Sequence, residues 1–257
     1  MSRPALIAPV LAAVALVAAG CGGVTDDGTP PVAAAVPVAT ASPHPDAGWA
    51  APARPLSHPW TEGFSSGAAL ERWGYVEGDF GRNRFRVHHG DLVVEPAKSW
   101  WVGAHRAFYL YRPVRGDFDV RTRLRVTGRA GGDPHADWSL SGLLVRSPGR
   151  DGAPEDWLAL RTGQVSGHRV FERKTTVRSR SRLALLGAHA GWTQLRIVRH
   201  GARFALFTRP DGGVWKRRST YVRPDLPRTV QVGVDAFSGQ GSPRADLRSQ
   251  VDWIRFA

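Results

Sequence analysis

The feature that most constrains the fold is a run of residues, 117–126, in which apolar and charged side chains alternate almost without error. Its apolar members are Phe118, Val120, Leu124 and Val126, and its arginines are Arg121, Arg123 and Arg125. Successive side chains of a β-strand point to opposite faces, so the run predicts a strand with one buried and one solvated face. The three arginines would share the solvated face.

The same period of two returns along most of the chain after residue 60, between glycine, aspartate and proline residues typical of turns. No helical period lasts for a dozen residues there. Further strands are predicted at 84–87, 91–95, 106–111, 139–146, 157–161, 170–174, 182–186, 194–199, 203–209, 214–221, 229–237 and 249–256. This number of short strands predicts an all-β, two-sheet antiparallel sandwich.

One hairpin carries a more specific signal. Residues 191–201 have the sequence GWTQLRIVRHG and lead to Phe204, to the turn residues Asp211 and Gly212, and to Trp215. This pattern resembles the hairpins of bacterial concanavalin A-like jelly-roll domains. Within that group it is similar to the domains labelled "regulation of enolase protein-like" and to the accessory domains of some xylosidases.

The resemblance covers nearly all of 60–257 and implies a concanavalin A-like jelly roll there. It also implies that Trp192, Trp215 and Trp253 occupy core positions. One departure is Arg209, which precedes Pro210 where the family usually has serine. Because jelly rolls host lectins, hydrolases and lyases alike, the resemblance predicts the fold more strongly than the function.

The N-terminus has the features of an exported lipoprotein. An apolar run at 5–19 follows Arg3 and is shorter than the roughly 20 residues that span a bilayer. It leads into Cys21, the only cysteine, in a pattern that resembles a bacterial lipobox, although Ala18 stands where leucine is usual. We predict a signal peptide at 1–20, acylation of Cys21 and a location on the extracytoplasmic face of the cell membrane. An ordinary secretory signal is the alternative.

Residues 21–59 differ in composition from the rest of the chain. Eight prolines lie among alanine, valine and threonine, without apolar periodicity. Proline removes a hydrogen-bond donor and blocks helix formation, so this stretch predicts a disordered Pro/Ala-rich linker. It would tether a folded domain, residues 60–257, at a distance from the membrane.

The sequence offers little for catalysis. Glucanases of this fold need paired carboxylates on one strand, and the nearest match, Glu77-Gly78-Asp79, lacks the final glutamate and has the glycines of a loop. A nucleophile elbow, a phosphate-binding loop and the residue cluster of a lyase are missing from the sequence. A single cysteine excludes an internal disulfide framework and a Cys-rich zinc site. We therefore predict no catalytic residue.

The sequence gives no firm sign of a metal site either. Residues 133–137 read Asp-Pro-His-Ala-Asp and could offer oxygen and nitrogen ligands, but a polar turn between strands explains them as well. We predict no cofactor and no metal ligand, and leave a structural calcium open at this loop or at Asp252.

Tryptophans are the best candidates for binding, because the faces of sugar rings stack on indole. Trp100 and Trp101 are adjacent, so they cannot both face the core of one strand. In 157–161, core positions for Leu158 and Leu160 would turn the tryptophan and the arginine to the opposite face. The predicted carbohydrate-binding residues are Trp100, Trp101, His105, Arg146, Trp157 and Arg161.

The chain is strongly basic, with 35 Lys+Arg against 22 Asp+Glu and a net charge of +13. Guanidinium groups pair bidentately with carboxylates and phosphates, so we predict that Arg121, Arg123 and Arg125 contact an anionic polymer. The run 178–182, Arg-Ser-Arg-Ser-Arg, is a second basic feature. Only three basic residues are lysines, so codon bias in a GC-rich genome is an alternative origin for the arginines.

Together these features predict a membrane-anchored lipoprotein whose sandwich binds a carbohydrate or an anionic cell-envelope glycopolymer without catalysis. The expected partners are the bilayer, through Cys21, and that glycan. We expect a monomer, and no nucleic acid as partner at this location. Two alternatives stay open: a glycan-acting hydrolase or lyase with a non-standard site, and a lipoprotein that assembles with another protein.

Overall fold

The computed structural model describes residues 58–103, 105–149 and 154–257. This part of the chain contains one short 3-10 helix, Gly67–Arg72, and fifteen strands. The strands are β1 (Trp60–Glu62), β2 (Gly74–Val76), β3 (Arg84–His88), β4 (Asp91–Glu95), β5 (Phe108–Arg115), β6 (Phe118–Thr127), β7 (Ser139–Ser147), β8 (Asp156–Val165), β9 (His168–Val177), β10 (Arg180–Gly187), β11 (Thr193–His200), β12 (Arg203–Pro210), β13 (Lys216–Val222), β14 (Thr229–Phe237) and β15 (Arg248–Phe256).

The strands form two antiparallel sheets. The eight-stranded sheet has the order β13-β12-β11-β6-β15-β4-β3, with β1 paired to β15 beside this path. The seven-stranded sheet has the order β10-β9-β8-β7-β14-β5-β2. Chain neighbours such as β6 and β7 lie in different sheets, as in a jelly roll. The all-β, two-sheet antiparallel sandwich that the sequence predicts is therefore confirmed.

Strand β6 shows how the sequence positions a functional face. Buried and half-buried residues alternate along its whole length, as predicted. Phe118, Val120 and Leu124 enter the main core between the sheets, where they join apolar side chains of both sheets. Removing this apolar surface from water drives the two sheets together, and it leaves the arginines of β6 on the outer face.

The middle of the seven-stranded sheet is buried on both sides. Nearly every residue of β7 and β8 is buried, which alternation alone would not give. A second apolar cluster on the outer face of this sheet explains the pattern. The connection between β4 and β5, residues 96–103 and 105–107, contributes Trp101 and Ala107 to that cluster. We call this connection the strap.

The predicted signal peptide, Cys21 and all but the last two residues of the predicted linker lie outside the described residues. Within the described ranges, no helix is long and apolar enough to cross a bilayer. The described strands of both sheets and the core residues between them lie within 60–257.

Gly142 of β7 occupies a position where a side chain would not fit. It lies between Arg161 of β8 and Asp235 of β14 in the strand register. A Cβ atom here would come within 2.2 Å of the Leu160 carbonyl oxygen and 2.6 Å of the Arg161 Cα. The absence of a side chain lets β7 and β8 pair closely and leaves the line between Arg161 and Asp235 open.

We predict that Gly142→Ala lowers the free energy of unfolding by about 3 kcal/mol, because the new methyl group overlaps the backbone of β8. Urea denaturation checks this. Gly63→Ala is the control, since no atom lies within 4 Å of its added Cβ, and it should change stability by less than about 0.5 kcal/mol. Equal stability of the two variants would contradict the close approach.

Candidate functional site

The six predicted carbohydrate-binding residues meet on the outer face of the seven-stranded sheet. Arg146 projects from β7, Trp157 and Arg161 project from β8, and the other three belong to the strap. The ring centroids of Trp101 and Trp157 are 6.0 Å apart. The guanidinium of Arg146 lies 5.6 Å from the Trp101 ring, and that of Arg161 lies 5.4 Å from the Trp157 ring.

Alternation along β8 places two of these side chains. Leu158 and Leu160 enter the main core between the sheets, whereas Trp157 belongs to the cluster on the opposite face. This orientation agrees with the prediction for residues 157–161. The sequence therefore located the face on which these residues lie.

The expectation that this face forms an open ligand surface is wrong for four of the six residues. Trp101, Arg146, Trp157 and Arg161 have no exposed surface. The strap, to which Trp101 belongs, covers the other three and is tied down at both sides: Lys174 Nζ donates to the Trp101 carbonyl oxygen at 2.7 Å, and the Ser99 amide donates to the Ser238 carbonyl oxygen at 3.0 Å. No indole face of Trp101 or Trp157 is left for a sugar ring.

The remaining two residues lie at the rim of this face. Trp100 is half-buried, and its ring centroid lies 4.1 Å from that of Phe80. His105 is also half-buried, 5.1 Å from Phe80 and 5.7 Å from Trp100 by ring centroids. Of the adjacent pair, Trp100 is thus the more exposed tryptophan, as the sequence indicated for one of the two.

A buried ionic cluster, missed by the sequence analysis, lies below the strap. Arg161 Nη1 donates to Glu172 of β9 at 2.7 Å, and its Nε donates to Asp235 of β14 at 2.7 Å. All three side chains are fully buried. Burial raises the pKa of Asp235, although Arg161 opposes this shift. Burial also lowers the pKa of Lys174, a neighbour of this cluster, to about 8.

This cluster brings two carboxylates together, but neither is accessible to a substrate. A glycosidase needs one carboxyl group that protonates the leaving group and a second that acts as nucleophile or base. Here one guanidinium binds both Glu172 and Asp235, and neither carboxylate contacts solvent. As arranged, the cluster joins β8, β9 and β14.

Glu77 and Asp79, the nearest match in the sequence to a catalytic pair, both accept hydrogen bonds from neighbouring residues. Glu77 accepts hydrogen bonds from the Tyr75 hydroxyl at 2.6 Å and from the backbone N–H of Asn83 at 2.7 Å. Asp79 accepts one from the Arg106 amide at 2.8 Å. Both acids fix the loop that follows β2.

The polar loop at 133–137 is likewise held by protein partners. Asp133 pairs with Arg169. Asp137 Oδ1 accepts from the amides of Trp138 at 2.8 Å and Ser166 at 2.6 Å. In the described ranges, no group of three or more His, Asp or Glu side chains is placed to hold a metal ion.

The outer face of the eight-stranded sheet is open, and it carries the predicted arginine stripe. Arg121 shares Asp119 with Arg196 of β11. Arg123 donates to Asp211 at 2.6 Å and to Asp252 at 2.8 Å. Hydrogen bonds from Arg123 hold the pKa of Asp211 below its ordinary value. Arg125 donates to Gln250 at 2.7 Å. The stripe is therefore a fixed array.

Half-buried tryptophans lie within this array and stack with arginines. The guanidiniums of Arg123 and Arg125 lie 4.2 and 5.0 Å from the Trp192 ring. Arg255 lies 4.4 Å from the Trp253 ring, and Arg209 lies 4.7 Å from the Trp215 ring. Such contacts between a cation and an aromatic face hold both groups in place at the surface.

The core positions expected for Trp192, Trp215 and Trp253 are therefore wrong: all three are half-buried on the outer face. For Trp253 the cause is a β-bulge between Val251 and Trp253. One extra residue reverses the alternation, so Trp253 lies opposite Arg123 and shares its outward direction. Periodicity read from sequence does not register a bulge.

Comparison with known proteins supports the fold. The chain is similar to a xylan β-1,4-xylosidase from Bacillus halodurans, with 13% identity, a TM-score of 0.58, and 86% of this chain and 40% of the xylosidase covered. It is also similar to lectin I-B4 from Griffonia simplicifolia, with 15% identity, a TM-score of 0.53, and 78% and 99% covered. A third similar structure is a functionally unknown Saccharomyces cerevisiae protein, with 15% identity, a TM-score of 0.55, and 72% and 96% covered.

These lectin and glycosidase structures share the concanavalin A-like jelly roll, which the chain therefore has. The chain spans less than half of the xylosidase. No family model matches the sequence, and no curated protein matches it. At these identities the likeness concerns the fold.

We predict that Arg161→Met lowers the free energy of unfolding by about 3–5 kcal/mol, because it leaves two buried carboxylates without their cation. The matched triple variant, Arg161→Met with Glu172→Gln and Asp235→Asn, removes all three charges and should recover at least half of that loss. Urea denaturation measures both. A single variant as stable as the wild type would show that the cluster does not join the strands.

Proposed function

We propose that this protein is an extracytoplasmic, lipid-anchored module that binds an anionic cell-envelope glycopolymer without catalysis. The binding surface is the outer face of the eight-stranded sheet. The observation that carries the proposal is the open array of stacked arginines and tryptophans on that face, around Trp192 and Trp253.

The chemistry of the array suits a charged sugar chain. An indole offers an apolar face to the C–H groups of a sugar ring, while a guanidinium offers paired donors to a carboxylate or phosphate. Arg125 illustrates the second part. It donates from Nε and Nη2 to Gln250, which leaves other N–H groups of the guanidinium for a ligand.

The outer faces of the two sheets differ in their access to solvent. The outer face of the seven-stranded sheet is closed by the strap, and its carboxylates are bound to Arg161. The outer face of the eight-stranded sheet presents rings and charges that reach solvent. The lectin and xylosidase among the similar structures are carbohydrate-directed by name, which supports the ligand class.

The anchor in the proposal depends on Cys21. An apolar segment precedes it, and a proline-rich stretch separates it from β1. Stable anchoring takes more than one acyl chain, which a lipoprotein cysteine supplies. The sandwich would then reach ligands up to a tether's length from the bilayer.

We predict that the acyl-free chain, residues 22–257, is retarded in gels that contain polygalacturonate and not in gels that contain neutral β-glucan. Trp192→Ala combined with Trp253→Ala should weaken this retardation about tenfold, because two stacking surfaces are lost. Affinity electrophoresis across a polymer series gives the dissociation constants. Equal retardation by both polymers would contradict the proposed preference for anionic polymers.

A comparison variant on the other sheet locates the site. Trp100→Ala removes a half-buried ring from the rim of the seven-stranded sheet. Loss of polygalacturonate binding in this variant, with retention in the double variant, would contradict the proposed face.

We predict that Cys21→Ala moves the protein from the salt-washed membrane fraction to the soluble fraction of cells, because the thiol that would carry the acyl group is gone. Immunoblots of separated fractions measure the distribution. Cys21→Ala protein that stays in the membrane fraction after a high-salt wash would overturn the proposed lipid attachment.

A further inference from the structure

One end of the sandwich concentrates basic side chains. It is formed by the β5–β6, β9–β10 and β11–β12 turns and by the segment that follows Val222 at the end of β13. We call it the arginine end. It contains two clefts, of about 760 and 650 Å³, which share Arg223 in their walls.

Six arginines at this end are exposed and have no side-chain hydrogen bond or ion pair within the described residues. Three of them line the larger cleft and two line the smaller one. They are Arg115, Arg178, Arg180, Arg182, Arg203 and Arg228.

The acidic groups at the same end are already engaged. Asp117 pairs with His200 at 2.9 Å, and a hydrogen bond from the Gly201 amide lowers its pKa. Asp225 pairs with the buried Arg223 at 2.6 Å. Asp156 accepts from the Arg178 amide at 2.7 Å. The six exposed guanidiniums therefore leave a surplus of positive charge within the described part of this end.

The β9–β10 turn that carries the run 178–182 is held rigidly. Arg178 and Ser179 have φ angles of +48° and +60°, a backbone conformation that residues other than glycine rarely adopt. Hydrogen bonds between Ser179 and Glu155 hold the turn against the start of β8. Beyond it, Arg180 and Arg182 point to one side of β10, about 7 Å apart.

Apolar side chains accompany these arginines. Val177 is 43% exposed at the end of β9, and Val222 is 60% exposed at the end of β13. Both line the larger cleft together with Arg178, Arg180 and Arg182. Exposed valines flanked by guanidiniums suit an interface where charged headgroups lie above hydrocarbon.

We infer that the arginine end docks onto an anionic phospholipid bilayer. The guanidiniums bind phosphate headgroups, and Val177 and Val222 enter the boundary beneath them. The chain also enters the sandwich near this end: Trp60 of β1 pairs with Phe256, and Ala257 exchanges backbone hydrogen bonds with Asp119. A tether that starts at a membrane would therefore reach the sandwich from its basic side.

Charge alone would also fit a soluble polyanion, and the two valines favour the bilayer. A polymer bound in water gains little from an exposed valine, whereas a bilayer buries it. Docking of this kind goes beyond the proposed glycan binding, since it uses a different surface. It also needs no acyl group, so it can be tested on the acyl-free chain.

The test is sedimentation of residues 22–257 with vesicles of phosphatidylcholine alone or of equal parts phosphatidylcholine and phosphatidylglycerol. We expect binding to the anionic vesicles that weakens as salt is raised. The triple variant Arg178→Gln, Arg180→Gln, Arg182→Gln should bind these vesicles at least about tenfold more weakly. All three side chains are exposed, so thermal unfolding should match that of the wild type.

The matched control removes the same charge from the opposite end of the sandwich, with Arg82→Gln, Arg84→Gln and Arg244→Gln. These arginines are also exposed. The control should keep most of the vesicle binding. Equal loss in both triple variants would show that only net charge matters, and would overturn the docking surface.

A fluorescent label separates the bilayer from a soluble polymer. In residues 22–257, Val177→Cys creates a single cysteine for an environment-sensitive dye. We expect a blue shift with anionic vesicles and none with soluble polyglycerol phosphate. A dye emission that does not shift with either the vesicles or the polymer would refute bilayer docking. The arginine end would then be assigned to soluble polyanions. Polygalacturonate retardation of the Trp192 and Trp253 variants is measured separately, so failure of one proposal leaves the other distinguishable.

Discussion

The interaction on which the seven-stranded sheet depends is the buried pairing of Arg161 with Glu172 and Asp235. It joins β8 to β9 beside it and to β14 two strands away, across Gly142, where no side chain intervenes. Three charges without solvent contact must satisfy one another, because an unpaired buried charge is costly. The order and register of the central strands bring the three groups together, and the strap covers them.

Because the strap covers the outer face of the seven-stranded sheet, the proposed binding surface lies on the eight-stranded sheet. With Trp101 and Trp157 used for packing, rings that reach solvent within an array of charges are found on the eight-stranded sheet. Its arginines bind acidic or amide partners along their edges and stack on indole with their faces. A ligand of the proposed site would meet groups whose conformations are already restricted, so binding would cost the protein little side-chain entropy.

Much of this could be predicted from sequence, where the information is local. The alternation of β6 gave the strand and its outward arginines, and the leucines of 157–161 gave the direction of Trp157. What depended on distant partners could not be predicted. Asp235 is 74 residues from Arg161 along the chain, no periodicity indicates that the strap covers Trp157, and the bulge before Trp253 reverses its side only once β15 pairs with β6.

The near absence of lysine has a consequence for the surroundings in which these surfaces would work. The pKa of a guanidinium lies far above any pH that a cell meets, so an arginine keeps its charge where an amine could lose it. Outside the cytoplasm the pH follows the habitat and is not held by the cell. A surface whose cations are guanidiniums would keep its positive charge while the medium acidifies or turns alkaline.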